Sequence, residues 1–379
     1  MPNDVTIQAG ASDPQTRAEF DGGRLVRGLR LGECQTEGPL AIFPIFANGG
    51  EESGGEQDES GRRAARYITL RQALGDGRVT ITEVSEGGSV PVLRVVNEGD
   101  TRILLLDGEE LRGARQNRVL STTILIGKGR TLVVPVSCTE QGRWAYTSRQ
   151  LAESEIVAER QVRYAMKEST NVSLRRGAGT RVDQGRVWDQ VRDLHHKHRT
   201  VSPTAAMRDA YSAKKPALDR VLAAFPLMDG QTGLLVLHGS RAVGLDYVSR
   251  APQYAELHEK LLRSYAFEAL VRGGEPGDRH VAEAFLERVA TLPGQRFKSP
   301  GLGWDVRFEG SGVLGSALVY RKRAVHAAFF DVGGASGAAY GGPAAGRTAD
   351  WRRAATHTRS PLRGVPLTDE HGGREDGQL

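Results

Sequence analysis

Cysteine is almost missing from this 379-residue sequence, which contains only Cys34 and Cys138. Two thiols are too few for a disulfide framework or a four-ligand zinc site, and such scarcity is typical of a reducing cytoplasm. Long apolar runs are lacking as well: no stretch approaches the roughly 18 to 20 residues of a membrane span, and residues 1–20 contain no apolar core of a signal peptide. We therefore expect a cytoplasmic protein without a membrane partner.

The sequence also lacks a strong excess of charge of either sign. Lysine and arginine number 51 against 46 acidic residues, a net charge of +5, and aromatic residues make up only 6%. Nucleic-acid binders carry clustered positive charge and, for single strands, aromatic side chains on which bases stack. The basic stretch from Arg175 to Arg192 is interleaved with aspartates, as on a solvated face. These features argue against nucleic acid as the partner.

Glycine, by contrast, is abundant, with 47 residues. Much of it lies in segments without apolar periodicity, which predicts disordered tails at residues 1–24 and 333–379 and a solvated, acidic and glycine-rich insert at residues 47–64. No glycine string has the spacing of a phosphate-binding loop or of a dinucleotide fingerprint. The predicted folded body is therefore residues 25–332.

Short apolar runs rich in valine, isoleucine and threonine dominate the N-terminal half. They predict an antiparallel β-domain, a sandwich or a barrel, at residues 25–170, with an exit helix at residues 148–167. Strands then alternate with helical periodicity, which predicts a smaller α+β half at residues 171–332. Within it, Ser202 followed by Pro203 has the pattern of a helix N-terminus. The predicted fold class is therefore α+β.

Two stretches, residues 102–126 and 133–144, concentrate the residue types that carry chemistry. Each combines carboxylates, amides and guanidinium groups at strand ends, where polar side chains are readily exposed to a shared pocket. Carboxylates and a thiol suit a general base or a nucleophile, and arginine and tryptophan suit a ligand with a charged and an aromatic part. The predicted catalytic residues are Glu109, Glu110, Cys138 and Glu140, and the predicted ligand-binding residues are Gln116, Asn117, Arg118, Gln141, Arg143 and Trp144.

Each of these candidates has a simpler interpretation that the sequence leaves open. Cys138 is a nucleophile only if an arginine activates it and a histidine from the second half, His238 or His326, reaches it; otherwise it is an inert buried cysteine. The three glutamates are a general base, ligands of a divalent cation or members of surface ion pairs. His195 and His198 lie one turn apart, but neighbouring cations favour a basic helix end over a metal site. No residue is assigned as a metal ligand.

Five motifs in order, DGEELRGARQNRVLSTTIL, PVSCTEQGRW, RVWDQV, SPTAAMRDAY and GSALVYRKRAVHAAFF, resemble the ARG-and-rhodanese-phosphatase-associated protein domain. The resemblance covers about residues 25–332, and several ordered motifs are more specific than one. It implies a link, through genomic neighbourhood, to ADP-ribosylglycohydrolases and to NAD or ADP-ribose metabolism, and it names no reaction. In this sequence, the polar positions of that family fall on ten residues, which are Gly108, Glu109, Gln116, Asn117, Arg118, Cys138, Glu140, Gln141, Arg143 and Trp144.

We therefore expect a polar pocket of the β-domain to bind a nucleotide-like or ADP-ribose-related small molecule, with its hydrolysis as an open extension. A non-catalytic module, in which the same residues brace loops for a protein partner, is the first alternative. A carboxylate-based, metal-dependent hydrolase is the second. The sequence leaves open whether the protein is an enzyme, which cofactor it uses and what its oligomeric state is.

Overall fold

The computed structural model describes residues 20–48, 65–84, 91–143, 145, 147–271 and 273–332. The predicted C-terminal tail and most of the predicted N-terminal tail and acidic insert lie outside these residues. The described chain already forms a helix at Gly22, inside the segment predicted as a tail. There the Asp21 carboxylate accepts the backbone N–H of Arg24 and so satisfies a donor of the first helical turn.

The described residues form helices and strands in alternating groups along the chain. The helices are α1 (Gly22–Arg27), α2 (Leu70–Gly75), α3 (Arg160–Arg175), α4 (Gln184–His198), α5 (Met207–Ala223), α6 (Ala251–Ala266) and α7 (Arg279–Ala290), with a 3-10 helix at Phe267–Leu270. The strands are β1 (Leu29–Leu31), β2 (Gln35–Glu37), β3 (Leu40–Ala47), β4 (Tyr67–Thr69), β5 (Val79–Glu83), β6 (Val92–Asn97), β7 (Arg102–Leu105), β8 (Glu109–Gly113), β9 (Arg118–Leu120), β10 (Ile124–Ile126), β11 (Thr131–Cys138), β12 (Leu151–Val157), β13 (Gly233–His238), β14 (Arg241–Val248), β15 (Gly294–Lys298), β16 (Trp304–Gly310), β17 (Val313–Tyr320) and β18 (Arg323–Asp331).

A nine-stranded antiparallel sheet joins the two ends of the described chain. Its strand order is β1-β3-β13-β14-β18-β17-β16-β15, and β2 also pairs with β3. The pairing of β3 with β13 places strands from before and after residue 170 in one sheet. The predicted domain boundary at that residue stays a prediction, but this sheet contains strands from both sides of it.

Two smaller sheets hold the strands between residues 67 and 157. One has the order β10-β7-β4, and the other has the order β12-β8-β9-β11-β6-β5. All their pairs are antiparallel except β4 with β7. The predicted α+β class with antiparallel sheets is confirmed.

Two predicted helix boundaries differ from the structure. The exit helix begins only at Arg160, because residues 151–157 form β12 and pair with β8. The helix expected after Ser202 begins at Met207, and the Ser202 hydroxyl instead accepts the backbone N–H of Ala206. No helix in the described part of the chain is both long and apolar enough to span a bilayer.

The two faces of the nine-stranded sheet pack against different layers. One face packs with α1 and α7 in an apolar cluster that includes Phe329 and Leu245. The opposite face meets α3 and α6, and there Phe330 packs with residues of both helices. Because successive side chains of a strand point to opposite faces, Asp246 next to Leu245 and Phe330 next to Phe329 face α3. This second face holds the candidate site.

Candidate functional site

Polar side chains lie in the middle of otherwise apolar strands on the face that meets α3. Arg307 on β16 is directly opposite Ser316 on β17. Ala328 on β18 is opposite both Ser316 and Asp246 of β14. Because side chains alternate between faces, His326, two residues before Ala328, lies on the same face. The strand register therefore brings these polar groups together.

Helix α3 covers this face with a polar stripe. Arg163, Lys167 and Asn171 are spaced by four residues, which places them on one side of a helix, and all three are buried. The loop after β7 adds Asp107. We call the resulting group the central charged cluster; its ionisable members are Asp107, Arg163, Lys167, Asp246, Asp305, Arg307 and His326.

Two ion pairs connect α3 to the strands and to the loop after β7. Lys167 Nζ donates to Asp107 Oδ2 at 2.8 Å and to Ser316 Oγ at 2.6 Å. Arg163 donates to both carboxylate oxygens of Asp246, at 2.9 and 2.5 Å. Such a bidentate pair fixes the orientation of both groups. The Tyr265 hydroxyl donates to Asp246 Oδ2 at 2.7 Å, so this carboxylate accepts three hydrogen bonds from two residues.

A third ion pair lies beside the first two. Arg307 donates to Asp305 at 2.6 Å and to the Thr122 hydroxyl at 2.9 Å, and that hydroxyl donates to Asp305 at 2.9 Å. Arg307 also contacts Asn171 Oδ1 at 3.5 Å. Among the described residues, Arg307 Nε and Asn171 Nδ2 find no hydrogen-bond acceptor. Buried donors without acceptors are rare, and a ligand can supply what they lack.

Burial and neighbouring charges shift the pKa values of Asp107, Lys167 and Asp246 in this cluster. Burial raises the pKa of Asp107, but the opposing charges of Lys167 and Arg163 outweigh it and hold that pKa well below its ordinary value. Burial lowers the pKa of Lys167, Asp107 opposes this, and Arg307 adds to it. Removing charges from water is costly even when they are paired, and strongly perturbed groups concentrate at functional sites. The cluster is therefore the leading candidate site.

Gly108 directs its two acidic neighbours to different places. Its φ of +83° is in the region that favours glycine, and an added Cβ would lie 3.0 Å from Arg163 Cγ. Asp107 therefore joins the central charged cluster, whereas Glu109 accepts a bond from Lys260 Nζ of α6 at 2.8 Å. Lys260 also pairs with Glu153 of β12. Glu109, predicted to be catalytic, thus belongs to a buried ion triad that joins α6 to two strands.

Cys138, the predicted nucleophile, lies in a separate group around Arg118. Arg118 Nη1 donates to Cys138 Sγ, and the Cys138 backbone exchanges two hydrogen bonds with the Gln184 amide, at 2.7 and 2.8 Å. Cys138 is fully buried, and burial raises the pKa of its thiol although Arg118 opposes the rise. A thiol held in the protonated form is a weak nucleophile. His326 makes its contacts in the central charged cluster instead.

The remaining predicted residues of this region bond to one another and to nearby loops. Glu140 accepts from Arg143 Nε at 2.9 Å and from the Asn117 backbone at 3.2 Å, and Arg143 donates to Asn117 Oδ1 at 3.2 Å. Gln116 donates to the backbone oxygen of Glu140 at 2.8 Å. The Gln141 side chain is exposed, and Trp144 lies outside the described residues. We call Gln116, Asn117, Arg118, Cys138, Glu140 and Arg143 the Cys138 cluster.

Glu110 faces away from Glu109, as successive strand residues do, and lies near the Cys138 cluster. It accepts from the Thr139 hydroxyl at 2.8 Å, while its Oε2 has no partner among the described residues. Burial raises its pKa to about 7, although the Thr139 hydrogen bond opposes the rise. The three predicted glutamates therefore have three different environments.

Replacing Glu110 with glutamine tests this burial through the pH dependence of stability. A carboxyl with a raised pKa favours the folded state at low pH, and that stability is lost as pH rises from the ordinary value of 4.5 to about 7. The glutamine side chain does not titrate, so the variant does not lose stability in this way as the pH rises. We expect Glu110→Gln to match wild type near pH 4.5 and to exceed it by about 3 kcal/mol at pH 8 in urea unfolding. Exposed Glu155→Gln is the control, and a difference independent of pH would contradict the assignment.

Two histidines of the tract on α4 make contacts within the protein. His195 contacts the Thr200 hydroxyl at 2.7 Å and the Ala206 carbonyl at 3.0 Å. His198 packs edge-on against Phe267, and burial with nearby lysines lowers its pKa to about 4. In the ranges that the structure covers, no group of three or more His, Cys, Asp or Glu side chains is arranged to hold a metal ion.

Sequence reasoning missed most of the central charged cluster, although a signal was present. GLDYV, WDVRF, GSALV and AVHAAFF each contain a polar residue inside an apolar strand, and α3 has basic residues at helical spacing. A polar residue within an apolar strand is buried when both faces of the sheet are covered. Asp107 stands beside the predicted residues, but its partner Lys167 lies 60 residues away in sequence, and Ser316, the other partner of Lys167, lies a further 149 residues along the chain.

A comparison with protein families matches residues 28–330 to the ARG and Rhodanese-Phosphatase-superfamily-associated Protein domain. The matched range contains both the central charged cluster and the Cys138 cluster. Neither a curated protein nor a solved structure matches the chain. The resemblance of the five sequence motifs is confirmed.

Proposed function

This chain belongs to the family of the ARG and Rhodanese-Phosphatase-superfamily-associated Protein domain, and on that premise we propose that it binds and hydrolyses a nucleotide-like small molecule related to ADP-ribose or NAD. The observation that carries the proposal is the central charged cluster. Three cations, three carboxylates and a histidine from separate elements converge there out of contact with bulk water. A nucleotide needs cations for its phosphates, and hydrolysis needs acid and base groups.

The polar groups of the cluster suit these two tasks. Arginine forks and lysine bind phosphate oxygens, and Arg307 and Asn171 retain buried donors that have no acceptor among the described residues. His326 lies between two carboxylates, 3.6 Å from Asp107 and 3.5 Å from Asp246. An imidazole in such a position transfers protons when a neighbouring carboxylate orients it.

The Cys138 cluster suits ligand binding less well. Its arginines pair with Glu83, Cys138 and Glu140, and its amides bond to neighbouring loops, while Arg118 Nε and Nη2 have no hydrogen-bond acceptor among the described residues. These contacts favour a role in bracing the loops around residues 113–118 and 138–143. The same bracing is what a non-catalytic interaction module would require, and this is our second candidate function.

Ligand-induced stabilisation distinguishes the two candidate locations. We expect ADP-ribose or NAD at 100 times Kd to stabilise the wild type by about 2.7 kcal/mol in thermal unfolding, because a ligand that binds only the folded state stabilises it. Lys167→Gln should abolish the shift, whereas Arg143→Gln in the Cys138 cluster should retain it. Chromatography of the incubated nucleotide should detect products with wild type and with Arg143→Gln, and none with Lys167→Gln.

Three controls complete this experiment. Adenosine and nicotinamide, which lack phosphates, should stabilise neither variant nor wild type. Unfolding without ligand establishes that Lys167→Gln still folds. If the ligand-induced stabilisation is lost in Arg143→Gln and kept in Lys167→Gln, the ligand binds at the Cys138 cluster instead. The absence of any shift with phosphate-bearing compounds would contradict the proposed function and favour the interaction module.

A further inference from the structure

Thr123 and His326 form a close contact inside the central charged cluster. Thr123 Oγ1 lies 2.9 Å from His326 Nδ1, and both residues are buried. The other ring nitrogen, Nε2, lies 3.5 Å from Asp246 Oδ1, longer than a good hydrogen bond. Catalytic hydrogen bonds are often long before substrate binds. A hydroxyl and a carboxylate therefore lie beside the two nitrogens of one imidazole ring.

Both ring nitrogens face an ionised carboxylate, Asp107 at 3.6 Å from Nδ1 and Asp246 at 3.5 Å from Nε2, but only Nδ1 also faces a hydroxyl that can donate to its lone pair, that of Thr123. Nε2 faces the ionised Asp246, whose pKa is held well below its ordinary value because Arg163 outweighs the effect of burial. A proton on Nε2 is attracted to that carboxylate, whereas a lone pair there would be repelled. In the neutral ring Nδ1 is then unprotonated and accepts the Thr123 hydroxyl proton.

Other contacts hold the hydroxyl and the carboxylate in position. The Asp107 backbone N–H donates to Thr123 Oγ1 at 3.1 Å, and Asp107 Oδ1, also at 3.1 Å, competes with His326 for the hydroxyl proton. Arg163 binds Asp246 through both carboxylate oxygens, and Tyr265 donates to it. A nucleophile, its base and an orienting group need this kind of support.

We propose that Thr123 is a nucleophile, with His326 as its general base and Asp246 as the group that orients the base, and that it takes a nucleotidyl or a ribosyl-phosphoryl group from the substrate. This inference rests on the proposed function and names the bond that is cleaved, a phosphoanhydride. The Thr123 oxygen forms a bond to phosphorus as the bond from phosphorus to the leaving oxygen breaks. The hydroxyl proton passes to His326 Nδ1 and then to the leaving oxygen.

A second step completes the cycle. His326 takes a proton from water as the water oxygen attacks the phosphorus, the bond to Thr123 breaks, and the proton returns to the threonine oxygen. Lys167 and Arg163, which bind the carboxylates on either side of His326, supply positive charge beside the transferred group. No metal, oxidant or further reactant enters this balance.

A fluorophosphonate probe tests the nucleophile without the natural substrate. Attack by the threonine oxygen releases fluoride and leaves a phosphonyl group whose mass is located by peptide sequencing. We expect modification of Thr123 in wild type and in Thr123→Ser, none in Thr123→Val, and labelling at least about 100-fold slower in His326→Gln, since general-base catalysis contributes a factor of this order. Exposed Thr36→Val should be labelled like wild type.

Nitrogen NMR of protein that contains isotope-enriched histidine provides a second readout. It requires neither reaction with the probe nor the folding of a variant. We expect His326 in its neutral form to carry the proton on Nε2; a proton on Nδ1 would overturn the inference. Absence of labelling while ADP-ribose still stabilises the protein would also overturn it, and would leave the proposed binding function intact. Labelling of Thr123 without stabilisation by any nucleotide would support the nucleophile and contradict the proposed ligand.

Discussion

Replacing Arg163 with methionine is expected to lower the free energy of unfolding by about 3–5 kcal/mol, since removing one member of a buried ion pair leaves the other charge without compensation. Arg163 and Asp246 are both fully buried, and their pairing through two hydrogen bonds is the closest link between α3 and β14. Tyr265 and His326 would remain as the neighbours of the Asp246 carboxylate. Urea unfolding near pH 7 measures the change.

Matched variants separate the buried charge from a general effect of losing an arginine. Arg192 pairs with Asp189 on the surface of α4, and Arg192→Met should change the free energy of unfolding by less than about 0.5 kcal/mol. Asp246→Asn added to Arg163→Met removes the uncompensated charge and should restore part of the stability. Breaking a buried ion pair costs about 3–5 kcal/mol of unfolding free energy. A loss below about 1 kcal/mol for Arg163→Met would therefore contradict the burial of this pair.

Lys260→Met should destabilise the protein by a similar amount, about 3–5 kcal/mol near pH 7, because Lys260 is the buried cation between Glu109 and Glu153. The loss should shrink as pH falls. Without Lys260 the carboxylate charge is left without its cation, and low pH, which favours neutral carboxyl groups, reduces that cost. Unfolding at pH 5 and at pH 7 measures both the loss and its pH dependence.

The surrounding contacts indicate which glutamate is responsible. Arg71 Nε lies 3.5 Å from Glu153 Oε2, so Glu153 would keep a cationic neighbour in the variant and Glu109 would be left with the larger imbalance. Glu109→Gln in the Lys260→Met background should therefore recover most of the stability at pH 7. Exposed Lys215→Met is the control, since its pair with Asp219 lies at the surface. Equal losses for Lys215→Met and Lys260→Met would refute the prediction.

Local sequence patterns predicted the elements that short-range interactions decide. Val187, Val191 and Leu194 recur at helical spacing, and all three are buried on α4 as expected. LLVLH and RAVGLDYV form the paired strands β13 and β14 around Gly239. Residues 151–157 were predicted to be helical because their composition permits a helix, but pairing with β8 makes them a strand.

The candidate site was harder to predict because its members come from separate parts of the chain. Glu109 and Glu110 are adjacent in sequence, yet strand alternation and the turn at Gly108 send them to different partners. Cys138 carries a reactive group, but burial raises its pKa. Neither property can be read from spacing along the chain, because both depend on what packs against the strand.

By itself, the sequence determined the α+β class, the family resemblance and many of the individual helices and strands, since these depend on periodicity and turn residues within short segments. Only the tertiary structure decided which polar residues meet. Thr123 and His326 are separated by 203 residues and come together through the contact of two sheets. Burial then removes water from around these charges, which strengthens their interactions and makes a charged cluster out of scattered polar residues.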